Sequence, residues 1–215
     1  MGKHRIIPKL QLKLSKSVPN KKVLVTTCNF SREKEIGDPV SQAKIYEAQV
    51  ADELVFLDLD RGEGDPRTLL SILETVSEEL FMPVTVGGGI RTLEDIRDRL
   101  SSGADKVAIN SAACDDPKLI EKGAEKFGSQ CIVVSIDIKR EKTGFSVWTE
   151  RGIKRFSKDA VSWAQEVEKL GAGEIILTSI DRDGTRSGLE VGIAKTLTGI
   201  LNIPLILAGG VGRAV

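Results

Sequence analysis

One histidine, His4, serves the whole 215-residue sequence, so chemistry that relies on a histidine base beside a nucleophile has almost nothing to draw on. Cysteine is scarce too: Cys28, Cys114 and Cys131 are odd in number, widely spaced and form no CxxC pair. That argues against a disulfide framework or a zinc site and fits a reducing cytoplasm. Long apolar runs are missing. The longest, such as CIVVSI at 131–136, are strand-sized, and MGKHRIIPKL lacks the apolar core of a signal peptide. Neither sign of charge is in excess, with 31 basic residues against 31 acidic ones, so neither a nucleic acid nor an anionic membrane is expected as a partner. No linker or low-complexity stretch divides the chain, and residues 1–215 read as one domain.

What is present is alternation. Short β-branched runs at 5–14, 52–60, 83–89, 106–110, 132–140, 174–181 and 204–211 are apolar nearly throughout, as parallel strands covered on both faces should be. Between them, helical spacing is expected near 39–49, 66–80, 92–102, 116–127, 157–170 and 189–201. Asp38 before Pro39, Thr92 before LEDI and Ser157 before KDAV are candidate caps.

The chain also repeats itself. DELVFLDLDRGEG (52–64) aligns with GEIILTSIDRDGT (173–185), bringing Glu53 onto Glu174, Asp60 onto Asp181 and Arg61 onto Arg182. The same shift lays PVTVGGGI over PLILAGGV. At a slightly longer shift IPKLQLK (7–13) meets VVSIDIK (133–139). The simplest architecture is an α/β (βα)8 barrel of the TIM type built from duplicated (βα)4 halves, with the eighth βα unit lacking in this chain. A doubly wound open sheet also alternates β with α but does not produce this echo. An open barrel edge would invite self-association or completion by a second chain.

In such barrels the active groups sit at the carboxyl ends of the strands. The turns GGGI, with Gly88 and Gly89, and GGVG, with Gly209 and Gly210, allow backbone N–H groups to approach an anion without Cβ obstruction. Asn110 and Ser111 end strand 4 and can add donors, and DRDGT (181–185) can work with the second turn. Two repeat-related glycine grips suggest a ligand with a phosphate at each end.

Asp137, near the end of strand 5 among apolar residues, is the candidate acid–base carboxylate, and burial would raise its pKa. Its repeat mate is Gln11, which can orient a ligand but cannot exchange protons near neutrality, so the pair is broken. Asp58, Asp60 and Asp181 read as ligand contacts or helix caps; without histidine ligands a metal is not expected, and no cofactor is implied. Arg5, Glu53, Lys106 and Glu174 begin strands 1, 2, 4 and 6 and could form a charged ring at the amino-terminal end, either a structural plug or something more.

RIIP, GDPV, ADELVFLD, VTVGGGIRT, GADKVAINSAA, FGSQCIVVSID, LGAGEIILTSIDRDGT and GGVG resemble the cyclase subunit of imidazole glycerol phosphate synthase, over nearly the whole chain. The resemblance implies a lyase of histidine biosynthesis, an amino-acid biosynthetic barrel in the cytoplasm. Such a barrel binds a bis-phosphate ribonucleotide derivative and receives ammonia from a glutaminase subunit in a heterodimer. It implies phosphate or substrate contacts at Gly88, Gly89, Asn110 and Ser111, and at Thr178, Asp183, Gly184, Gly209 and Gly210. It further implies that Arg5, Glu53, Lys106 and Glu174 form the ammonia gate, with Asp105 on the glutaminase-facing surface.

The departures are specific. Gln11 stands where the family has a catalytic Asp, and Lys9 where it has a Cys. A basic stretch, LSKSVPNKK (14–22), enlarges the loop after strand 1, and a family lysine there falls on Thr26, for which Lys21 or Lys22 could substitute. Divergence towards amidination of a surface sugar fits that pattern. The alternatives are the phosphoribosyl-formimino isomerase barrel of the same pathway and a non-catalytic bis-phosphate-binding barrel.

Overall fold

The structure, a computed structural model, describes residues 4–60 and 64–212; Arg61, the repeat mate of Arg182, lies outside them. The chain groups into two compact units, residues 1–26 with 34–107, and residues 27–33 with 108–215.

In the first unit, β1 (Lys9–Leu14) begins later than the apolar run at 5–14 predicts. It pairs antiparallel with β2 (Lys22–Cys28), which is followed by β3 (Ser31–Gly37), residues 27–33 being grouped with the second unit. Neither of these two strands was anticipated, because KVLVTTC and SREKEIG lie beside a polar, basic stretch that reads as loop. After α1 (Pro39–Ala48), β4 (Leu54–Asp58) joins β1 in parallel, Leu10 opposite Phe56 and Leu12 opposite Asp58. Then α2 (Pro66–Glu79), β5 (Val84–Gly87) and α3 (Leu93–Ser101) follow, with β5 parallel to β4.

Strand alternation sorts the faces. Leu10, Leu12, Leu24, Leu54 and Phe56 form one cluster with Ala43 of α1 and Leu69, Leu73 and Val76 of α2. The opposite face of β1 carries Lys9, Gln11 and Lys13. The expected caps hold: Asp38 Oδ2 accepts from Ser41 N at 3.0 Å, and Thr92 with Asp95 forms a capping box that satisfies two orphan donors reciprocally.

The strand β6 (Lys106–Ile109) falls at the division between the units. In the second unit α4 (Ser111–Asp115) and α5 (Lys118–Phe127) lead to β7 (Ile132–Arg140), fully buried from Ile132 to Ile138. A meander follows, β8 (Phe145–Thr149) antiparallel to β7 and β9 (Lys154–Asp159) antiparallel to β8. Next come α6 (Ala160–Lys169), β10 (Glu174–Ser179), α7 (Val191–Thr198) and β11 (Leu205–Ala208). The strands β7, β10 and β11 are parallel, with Asp137 opposite Thr178 and Thr178 opposite Ala208.

The expected cap at Ser157 is corrected: Ser157 is drawn into β9, and Asp159 caps α6 by accepting from Val161 N and Ser162 N at 2.9 and 3.1 Å. Trp163 then points inward, fully buried, its ring edge-on to Phe156 at 5.1 Å. Among the described residues no helix is long and apolar enough to cross a membrane.

Candidate functional site

The carboxyl end of β5 runs into the first glycine turn. Gly88 and Gly89 have φ of 102° and 70°, and a Cβ on Gly88 would lie 2.2 Å from the Asp58 carbonyl oxygen, so only glycine can pass there. Two strands away in the same unit Gln11 is 8% exposed, and its Oε1 is buried without a hydrogen-bond partner among the described residues.

Asp58 and Asp60, read from sequence as ligand contacts, caps or a remote metal possibility, share a different partner. Lys22 Nζ donates to Asp58 Oδ1 at 2.7 Å and to Asp60 Oδ2 at 2.9 Å, and Asp60 also accepts from Leu14 N at 2.6 Å. Lys22 is therefore held in a buried ion pair at the start of β2, opposite Leu14 of β1. Thr26 and Lys21 are exposed. No group of three or more His, Cys, Asp or Glu able to hold a metal occurs among the described residues.

At the amino-terminal ends of the first unit's strands, Glu53 binds two cations. Its Oε1 accepts from Arg5 Nη1, and its Oε2 from Lys106 Nζ at 2.8 Å. Three of the four gate candidates are thus one cluster. Glu174, the fourth, opens β10 in the second unit and is buried. Asp105 is exposed, and its Oδ2 accepts from Val84 N at 2.8 Å, so it also anchors the start of β5.

The second unit holds Asp137, 8% exposed, with Asn110 Nδ2 donating to its Oδ2 at 2.7 Å. Asn110, expected to reach a phosphate, spends this donor on the carboxylate and fixes its orientation. Thr178, buried, is Asp137's neighbour in register, and Ser111 Oγ accepts from Glu150 N at 3.1 Å. Cys114 lies near this carboxylate. Burial, then the charges of Asp115 and Asp137, push its thiol pKa up to about 12.

Asp183 and the second glycine turn are tightly tied. Thr27 Oγ1 donates to Asp183 Oδ2 at 2.7 Å, Asn29 N donates to the Asp183 carbonyl at 2.9 Å, and Asn29 Nδ2 donates to the carbonyls of Ile180 and Asp181. Gly184, Gly209 and Gly210 all have positive φ, and a Cβ on each would press on a backbone oxygen of Thr27, Ser179 and Gly188 respectively. Arg182 braces the same loop, donating to the carbonyls of Ser187 and Gly188 and to Glu190, which Arg140 also binds. Burial pushes the Glu190 carboxyl up, but hydrogen bonds from Arg182 and Arg140 outweigh it and hold its pKa below the usual range. Thr27, Asn29 and Glu190 escaped the sequence reading. TCNFSREKEIGDPV (27–40) contains the first pair, but nothing in it signals the long-range contact.

Parallel strands alternating with helices, among them β5 and β11 running into glycine turns and β4 and β7 carrying the buried carboxylates Asp58 and Asp137, define an α/β protein of the parallel-sheet class. The sequence pattern of histidine biosynthesis proteins matches residues 5–214, and the chain belongs to that family. Imidazole glycerol phosphate synthase subunit HisF of Hydrogenobaculum sp. (strain Y04AAS1) is 48% identical over 210 residues, covering 97% of this chain and 81% of the relative. Its namesakes from Sulfurisphaera tokodaii and Alkaliphilus metalliredigens are 48% and 46% identical, covering 88% and 97% of this chain and 76% and 80% of their own lengths. These relatives do not favour the isomerase or the purely binding alternative.

Proposed function

We propose that this chain is the ammonia-accepting cyclase subunit of a glutamine amidotransferase complex, a lyase of the imidazole glycerol phosphate synthase kind working with a glutaminase. In this reading its parallel strands are seven units of a (βα)8 barrel. The buried side chain of Asp137 carries the reading: a carboxylate in the carboxyl-terminal half of β7, oriented by Asn110 and next in register to Thr178, suits a general acid–base role. The turns at Gly88–Gly89 and Gly209–Gly210 each take a phosphate through backbone N–H groups, with Ser111, Asp183 and Gly184 lining the substrate.

Arg5, Glu53, Lys106 and Glu174 admit ammonia, and Asp105 faces the glutaminase. A closed route keeps ammonia unprotonated until it reaches the electrophile, which is the physical reason for a gate. The test is turnover of the bis-phosphate ribonucleotide intermediate with ammonium salt, and with glutamine plus glutaminase. Arg5→Ala should impair the glutamine-dependent rate alone, and equal loss in both assays would remove the gate.

One observation favours a second reading of the acceptor. Gln11 replaces the expected second carboxylate, and loss of a general acid or base costs roughly 10²–10⁴ in rate. An acceptor other than the histidine intermediate, such as a surface sugar awaiting amidination, would not need that group. Poor turnover of the histidine intermediate, improved by Gln11→Asp, supports it; turnover at the full rate of the relatives excludes it.

A further inference from the structure

Gln11 keeps an acceptor that the described chain leaves unsatisfied. Its Oε1 is buried without a partner, and the register explains why: Gln11 lies opposite Val25 on β2 and Leu57 on β4, neither of which has a polar side chain. An unpaired buried carbonyl is destabilising, so the group calls for a donor from outside the described residues.

The same register says where that donor comes from. Gln11 pairs with Leu57, and Leu57 pairs with Gly87, so the three form one row across β1, β4 and β5. Partners in a row face the same side of the sheet, and two strand spacings put Gln11 roughly 10 Å from Gly87, Cα to Cα. The next residue is Gly88, where the backbone turns with its N–H groups free of any Cβ. A phosphate seated on that turn leaves its carbon skeleton to lie along the row towards Gln11.

We propose that Gln11 is a specificity-determining residue that binds a hydroxyl of a phosphosugar whose phosphate sits at Gly88–Gly89. The amide both accepts and donates, which matches a sugar hydroxyl, whereas a carboxylate could only accept. The inference deepens the proposed function and rests on its reading of the first glycine turn as a phosphate grip.

The test is an NMR titration of the full chain with inorganic phosphate and with ribose 5-phosphate, following the amide signals of Gly88 and Gly89 in the wild type and in Gln11→Met. Melting temperatures are recorded alongside. Gln11→Met should melt at or above the wild-type temperature, because an orphaned acceptor has gone, and should bind inorganic phosphate as the wild type does. Its affinity for ribose 5-phosphate should fall roughly tenfold. Unchanged ribose 5-phosphate affinity, or a variant that melts below the wild type, overturns the role of Gln11 and leaves the phosphate grip standing. Wild-type signals that respond to neither ligand overturn the grip and the proposal together.

Discussion

The Lys22 ammonium lies 2.7 Å from Asp58 Oδ1, and both side chains are all but closed to water. A buried pair of this kind is weak evidence for stability as it stands, but removing one partner strands the other charge. Lys22→Met should therefore cost about 3–5 kcal/mol, measured by thermal or urea unfolding. Adding Asp58→Leu should recover a large part of the loss, since the apolar pair needs no partner. A Lys22→Met variant as stable as the wild type would contradict the buried geometry.

Gly88 and Gly192 make a controlled comparison. Gly88 has a φ of 102° and no room beside the Asp58 carbonyl, whereas a Cβ on Gly192, in α7, meets nothing within 4 Å. Gly88→Ala should destabilise by at least ~1–3 kcal/mol through backbone strain and should lose phosphate binding. Gly192→Ala should be neutral or stabilise by up to about 1 kcal/mol through helix propensity. Unfolding curves of the two variants decide it, and equal effects would count against the turn.

Cys114 should be inert. With its pKa pushed up to about 12 by burial first and by Asp115 and Asp137 next, almost no thiolate exists near neutral pH. Alkylation by iodoacetamide at pH 8, mapped by mass spectrometry, should modify it far more slowly than a free cysteine peptide. Asp137→Asn should lower its pKa and speed the reaction. Rapid modification of the wild type would show that the thiol is not buried in this way.

The α6 cap gives an acid signature. Asp159 is held below the ordinary carboxylate pKa of 3.8, by the Ser162 hydroxyl first and then by backbone N–H groups. A depressed folded pKa means that its stabilisation is complete above the unfolded value and is lost as pH falls through the folded one. Asp159→Asn, which can still accept the cap hydrogen bonds, should therefore show a weaker loss of stability below about pH 4. Asp159→Ala should cost ~1 kcal/mol at neutral pH. Identical acid unfolding of the wild type and Asp159→Asn would reject this.

Much of the parallel sheet was legible because its strands are apolar throughout and its helices announce their caps. Ile132–Ile138 needs no alternation when both faces are covered, and Asp38 and Thr92 cap where their spacing says they should. The hairpin strands were hidden by polar composition: SREKEIG is almost wholly exposed, and KRFSKD reads as the approach to a helix. The site was legible where backbone demands dictate glycine. It was opaque where a contact joins distant segments, as Lys22 joins Asp58, Thr27 joins Asp183 and Arg140 joins Glu190. Spacing along the chain does not encode such pairings.

The central claim is that Asp137 handles the proton in an ammonia-dependent ring closure, and one rate comparison tests it most directly. Wild type and Asp137→Asn are assayed with saturating ammonium salt and the bis-phosphate ribonucleotide intermediate, with circular dichroism to establish that both are folded. The account predicts slow but measurable wild-type turnover and a loss of roughly 10²–10⁴ in the variant. A folded Asp137→Asn that turns over as fast as the wild type would contradict it.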